Sequence, residues 1–504
     1  ERFREYIGAV DKRLTESGTE QFSFELLATL NQSSVIARSN DVTVHRVRWQ
    51  VLEGVTAEGL LLEPEGVNAA VVALPDADWT PEAFCGIGGD VPKSAQLPWR
   101  LANEGCLVVV PMLISRSSEL SGSPYVAYTD QTHREFIYRQ AFEMGRHVIG
   151  YEVQKTLAAI DLLEQWMKTR EIKIPIGVAG VGEGGLIALY ASAVDTRVDA
   201  TLVSGYFGTR EAVWEEPIYR NVWGLLTEFG DAELAGLIAP KPLVIEACSV
   251  PESTGPPAPA AGRRGGAAPG KIETVTLGSA RAEYDRAISI YDKLQASQNC
   301  QLHSSGEGDG SAGTQVAIQS FAAKLGIEAE FKALGNTLTA VEDSKPNTGT
   351  TDDRQRRQLD EMQRHVQDLM RLSPKVRDAA WAKGDRSLVE KWEESSASLR
   401  DWVYDELIGR LPDPTMPMNP KSRLVLDEPE YLGYEITLDC YRDVVAGGIL
   451  LLPKDLKPGE KRPVVVCQHG LEGVPMDTIT EDQSVRSWNY YKGFSAVLCK
   501  RGFI

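Results

Sequence analysis

Apolar positions along the chain fall into short runs separated by segments of helical period. Residues 1–41 read as a helical N-terminal segment. From residue 42 the pattern changes: 42–52 alternates, 59–62 is apolar, and 70–74 is an apolar run closed by Pro75-Asp76. A further run covers 106–113. Segment 148–168 carries apolar residues at helical spacing and precedes a strand-like 174–179. Small residues open a helix over 184–194, followed by strands at 200–204 and 242–247, a helix at 281–295, a short strand at 300–303 and a helix at 315–325. Strands alternating with helices at this spacing predict a mostly parallel α/β sheet flanked by helices. Two low-complexity stretches, 251–270 and 304–313, read as loops within it. A linker at 338–353 leads into a charged helical connector over 354–411.

The pattern then begins again. Residues 59–64 (GLLLEP) resemble 448–453 (GILLLP), 70–76 (AVVALPD) line up with 464–470 (VVVCQHG), and 101–107 (LANEGCL) line up with 498–504 (LCKRGFI). The offsets of 389, 394 and 397 keep the order with small insertions. The expected organisation is therefore 1–41 helical, 42–337 a first α/β domain, 338–430 linker and connector, and 431–504 the start of a second, similar domain. A parallel sheet cut at that point would leave an unpaired edge, so the second domain is expected to continue past Ile504.

Composition narrows the function classes. The 53 Lys+Arg against 71 Asp+Glu give −18, with no basic block, which argues against a nucleic-acid backbone as partner. No apolar run approaches the ~20 residues of a membrane span. The seven cysteines form no CxxC pair, so neither a zinc site nor a disulfide framework is expected, and free thiols are.

The segment 174–194, IPIGVAGVGEGGLIALYASAV, joins a strand to a helix through Gly180, Gly182 and Gly184. A G-x-S-x-G turn in this context lifts a nucleophile above the sheet at a helix N-terminus. Here the nucleophile position is Gly182, which has no nucleophilic atom. With the segments VSGYFG (203–208), WEEPIYR (214–220) and IAPKPL (238–243), the order resembles the α/β-hydrolase superfamily, in its acetyl-xylan-esterase and dienelactone-hydrolase-like branch. The resemblance covers 42–327 and 433–504. It implies carboxylic-ester hydrolysis by a Ser–acid–His triad without metal or other cofactor, on a small-molecule or carbohydrate ester. It also favours a secreted or periplasmic location, as does the start at Glu1 in place of Met.

That pattern fails at several positions of the first copy. The acid position offers only Glu252, at the opening of a low-complexity loop. The loop after the strand 300–303 has no histidine, and His303 lies on the strand before it. The His-Gly that supplies an oxyanion turn is replaced by Pro75-Asp76. Acyl transfer needs nucleophile, base and oxyanion donors together, so the first copy is expected to be inactive. The second copy keeps His469-Gly470 at the oxyanion turn, and its nucleophile would lie beyond Ile504; a histidine merely capping a strand is the alternative.

A rival reading takes Gly180, Gly182 and Gly185 as G-x-G-x-x-G of a dinucleotide site. The next strand ends Val203-Ser204-Gly205 with no acid for a ribose, and Glu183 would repel phosphate. A non-catalytic binding or scaffold module is the other alternative. Trp214, Glu215, Tyr219 and Arg220 form a possible cleft cluster; the alternative makes the aromatics core anchors and Glu216–Arg220 an i,i+4 pair. His133 and His147 flank an Arg- and aromatic-rich stretch, either lining a cleft or satisfied structurally, and His365 reads as solvated on the connector.

Overall fold

In the computed structural model, residues 1–504 are described except 18–21, 31, 122–129, 260, 332–336 and 342–349, and they divide into two units, Glu1–Lys383 and Gly384–Ile504. Half of the expected linker 338–353, and part of the N-terminal segment, lie outside the described residues.

The main strands of the large sheet in the first unit are β1 (Val35–Arg38), β2 (Val42–Leu52), β3 (Val55–Pro64), β4 (Ala69–Leu74), β5 (Cys106–Pro111), β6 (Ile176–Val181), β7 (Ala200–Ser204), β8 (Leu243–Ala247) and β9 (Cys300–Ser304). Strands β4 to β8 are buried at every position, as a parallel sheet covered on both faces requires. The order is β9-β8-β7-β6-β4-β5-β3-β2-β1, with Thr339–Ala340 beyond β1 and Glu25–Leu26 on β2. Strands β4 to β9 run parallel, and β3 joins β5 antiparallel. The α/β-hydrolase-like fold is present: a large, mainly parallel sheet flanked by helices.

Alternate residues of β4 feed two cores. Ala70, Val72 and Leu74 face the side of α1 (His133–Phe142), α2 (Val148–Thr169) and α3 (Glu183–Val194). Val71 and Ala73 face the side of Trp99, Leu101 and the helix Gln315–Lys324. The chain leaves β4 toward β5 on one side and then crosses to β6 on the other, so the order reverses at the β4/β6 crevice, where open α/β sheets place ligands.

Two expectations are corrected. Residues 1–41 are not a helical segment: among the described residues only Arg2–Tyr6 is α-helical there, and Val35–Arg38 pairs with β2, because its β-branched residues satisfy a sheet ladder and bury Val35 and Ile36. The charged helical connector is present, and its first part packs. Helix α4 (Thr351–Trp381) buries Arg354, Gln355, Gln358, Leu359, Met362 and Val366 within the first unit. Arg357 pairs with Glu58 at 2.7 Å, Arg354 with Glu82 at 2.8 Å, and Glu361 accepts the Thr56 N–H at 2.9 Å. His365, expected in solvent, lies edge-on to Tyr151 and 3.6 Å from Asp11.

The second unit opens with the helix Val389–Trp402 and a π-turn over Val403–Ile408, ahead of the position 431 expected from sequence. Its sheet is three antiparallel strands, β10 (Lys421–Asp427), β11 (Tyr431–Tyr441) and β12 (Val444–Pro453). At an offset of 389 these bounds match those of β2 and β3 residue for residue. The pairing Val42↔Pro64 becomes Tyr431↔Pro453, and the irregularity between Gln50 and Leu52 recurs between Asp439 and Tyr441. The helix Pro81–Phe84 has its counterpart at Pro475–Ile479, and Leu97–Ala102 at Phe494–Lys500. Residues 464–468, expected as a strand, form no ladder. Val465 donates to the Ile504 carbonyl at 2.8 Å, while Val464 and Val466 are 67% and 90% exposed; the matching Ala70 and Val72 are fully buried between β5 and β6.

Candidate functional site

Gly182 links β6 to α3 at φ +58° and ψ −118°, a conformation that costs glycine little and a side-chain-bearing residue more. The turn is tight: a Cβ on Gly180 would come 2.0 Å from the Gly184 carbonyl oxygen. The turn is a sharp strand-to-helix elbow with no side chain at position 182.

What fills the vacated space is Asp76. A Cβ built on Gly182 would lie 2.3 Å from Asp76 Oδ2. The same oxygen accepts the Glu183 N–H at 2.9 Å, the backbone donor that follows a hydrolase nucleophile and serves its oxyanion hole. The space a side chain at position 182 would take and the Glu183 N–H are thus both occupied by one carboxylate of the chain itself.

Asp76 belongs to a wholly buried ionic cluster. Arg116 holds it through Nη1 at 2.6 Å and Nη2 at 3.1 Å, and also donates to Glu183 Oε2 at 3.0 Å. Arg220 reaches the same Glu183 oxygen from Nη2 at 2.9 Å, and Arg134 reaches Oε1 at 3.0 Å. Arg134 is paired in turn with Glu152 at 2.8 Å, under the ring of Tyr219. Three guanidinium groups meet the three carboxylates of Asp76, Glu152 and Glu183. Glu183, Arg134 and Asp76 have no exposed surface. Burial pushes the Glu183 carboxyl up, but Arg134, Arg220 and Arg116 outweigh it and hold it well below the usual carboxylate range.

The triad candidates are not brought to this turn. Glu252 accepts the Thr274 N–H at 3.2 Å on an exposed loop, and His303 Nε2 lies 3.0 Å from Ser320 Oγ. Among the described residues neither has a hydrogen bond to the turn. At the end of β8 it is Glu246 that is buried, accepting Ser204 Oγ at 2.6 Å and the Gly313 and Thr314 N–H groups at 2.9 and 2.7 Å; it anchors the loop in which a catalytic histidine was sought. The cleft cluster divides: Tyr219 and Arg220 are buried against the ionic cluster, whereas Trp214 is 74% exposed and Glu215 pairs with Lys271 at 3.3 Å on the surface. The dinucleotide reading also fails, since the Gly182 N–H donates to the Ser204 carbonyl, the Glu183 N–H to Asp76, and two carboxylates stand where phosphate would.

Ser115 and His133 approach to 2.9 Å beside a cavity of about 300 Å³, but their polarity is wrong for a nucleophile and base. His133 Nε2 accepts the Leu120 N–H at 2.9 Å, so Nδ1 carries the proton and donates to Ser115 Oγ. His147 caps α2 by accepting the Ile149 N–H. Burial lowers both imidazoles to about 4. In the second unit the Gly470 N–H donates to Tyr491 Oη at 2.8 Å, and His469 Nδ1 lies 2.9 Å from the Gly470 carbonyl oxygen. All seven cysteines are free, and no helix among the described residues is long and apolar enough to cross a membrane.

No family model matches the chain, and no curated protein does. Solved structures similar to it include a candidate acetyl xylan esterase from Bacteroides fragilis, at 15% identity and TM-score 0.41 over 60% of this chain and 74% of that one. A methylesterase follows at 15% identity and TM-score 0.39, over 66% of this chain but only 64% of that protein's length. A glucuronoyl esterase from Solibacter usitatus is similar at 10% identity and TM-score 0.37, over 64% of this chain and 91% of that one.

Proposed function

We propose that this chain belongs to a carboxylic-ester hydrolase of tandem α/β-hydrolase architecture, acting on acylated carbohydrate, in which the first copy is non-catalytic. The active serine and histidine are placed by this reading after Ile504. The observation that carries it is the residue-for-residue agreement of the hairpins 42–64 and 431–453, bulge included, combined with one difference. Where the first copy has Asp76, the second has Gly470, which carries no carboxylate to fill the oxyanion turn. The exposure of Val464 and Val466, against the burial of Ala70 and Val72, supports a second sheet that gains two neighbouring strands.

The closed ionic cluster favours a second reading, in which the molecule is a hydrolase-like binding or scaffold module without catalysis. A fluorophosphonate probe on protein extending past residue 504 separates the two. Labelling of a serine outside residues 1–504, with hydrolysis of p-nitrophenyl acetate, supports the esterase. An unlabelled, inactive extended protein supports the scaffold.

A further inference from the structure

The side chain of Asp76, a methylene bearing a carboxylate, is a tethered acetate. Oδ2 accepts the Glu183 N–H at the start of the twelve-residue α3, and the Arg116 fork spans both oxygens at 2.6 and 3.1 Å. Oδ1 also accepts the Asp78 N–H at 3.1 Å. This is the pairing by which proteins hold carboxylates: a bidentate guanidinium plus a helix N-terminus. Arg116 does not depend on Asp76 for its position, since Asp78 Oδ2 at 2.9 Å and Glu183 Oε2 at 3.0 Å also hold it, and its side chain is only 5% exposed. The room for the carboxylate comes from Gly182, because any Cβ there would meet Oδ2.

We infer that the turn at Gly182 is a carboxylate-binding site occupied by the chain's own Asp76, and that it takes a free small monocarboxylate when this side chain is removed. Without Asp76 the Arg116 fork and the Glu183 N–H both lose the acceptor they share at the turn, so the vacated site favours an anion. Size sets which one. Asp76→Gly vacates the volume of acetate, whereas Asp76→Ala keeps one carbon in place and leaves room for formate. The inference stands whether or not a second copy is catalytic.

The test is thermal unfolding of the full 504-residue chain at neutral pH in sodium acetate, formate or chloride of equal ionic strength. The unaltered protein and Asp76→Asn, whose sites are filled, should not respond. Asp76→Gly should show a saturable rise in Tm with acetate, and Asp76→Ala with formate, each exceeding the effect of chloride. Equal responses to all three salts, or none, overturn the inference. Should both variants be recovered unfolded, they are refolded from denaturant in each salt. Return of native Trp fluorescence in the matching carboxylate but not in chloride supports the site, and no difference between the salts overturns it.

Discussion

Replacing Glu183 with glutamine tests whether the ionic cluster holds the first unit together. The side chain keeps its shape but loses the charge on which Arg116, Arg134 and Arg220 converge at 2.9–3.0 Å. It also turns an amide N–H₂ toward at least one guanidinium. Each contact carries a gross Coulomb attraction of about 5 kcal/mol at an effective dielectric near 20, most of it offset by the cost of burying the ions. Removing one partner of such a buried set costs about 3–5 kcal/mol, because the remaining charges stay buried and uncompensated. The assay is urea unfolding of the full chain followed by Trp fluorescence, with Trp49, 1% exposed, as a reporter inside the first unit. With a slope of about 4 kcal/mol/M for a unit of this size, above the range for small domains, the midpoint should fall by about 1 M. The pH dependence adds a second check. The Glu183 carboxyl is depressed in the folded state, so its contribution is complete above the ordinary value of about 4.3 and is lost as pH falls below it. A loss under about 1 kcal/mol would refute the reasoning, because unpaired buried charges cost more than that.

Gly182→Ser should not produce an esterase. Its Cβ would lie 2.3 Å from Asp76 Oδ2, which already holds the Glu183 N–H, and overpacking of this kind costs about 1–3 kcal/mol; hydrolysis of p-nitrophenyl acetate above the buffer rate would contradict this. The buried, neutral His133 and His147, lowered to about 4, contribute stability above pH 6.5 that is lost as pH falls toward 4, at most about 3 kcal/mol each. His133→Gln should therefore lose less than the unaltered protein in urea midpoints taken at pH 7 and pH 5, and an equal loss would show that the ring does not resist protonation. Asp231 has the opposite sign. Burial raises it to about 7, so it weakens the fold increasingly as pH rises from about 4 to 7. Asp231→Asn, which can still accept the Gly208 N–H, should gain stability relative to the unaltered protein across that window, and parallel pH profiles would count against it.

The sheet was readable because its strands are continuous apolar runs closed by Pro, Gly or Ser, with helix-period segments between them. Turn and strand residues that recur together suggest a repeat, and the hairpins 42–64 and 431–453 share their pairing pattern. Residues 1–41 misled because a helical period survives where β-branched residues pair with β2. The connector helix was legible from its period, but the partners of its buried polar residues were not: Arg354, Gln355 and Gln358 are met by Glu82, Leu113 and Lys155 from distant segments. The ionic cluster was invisible as a unit, since its residues come from separate segments around 76, 116, 134, 152, 183 and 220. Two of its signals are in the sequence: Glu183 opens a buried apolar helix, and a buried acid needs cationic partners; Asp76 stands where an oxyanion turn would need an unencumbered backbone. Together they imply buried arginines.

We propose that the first unit keeps a hydrolase-like turn closed by its own carboxylate and has no catalytic serine. The most direct measurement is incubation of the 504-residue chain with a fluorophosphonate probe and p-nitrophenyl acetate, with any adduct mapped by peptide mass spectrometry. No hydrolysis above the buffer rate and no modified serine within residues 1–383 are expected. Turnover accompanied by a single modified serine in that unit, Ser115 included, would contradict the proposal.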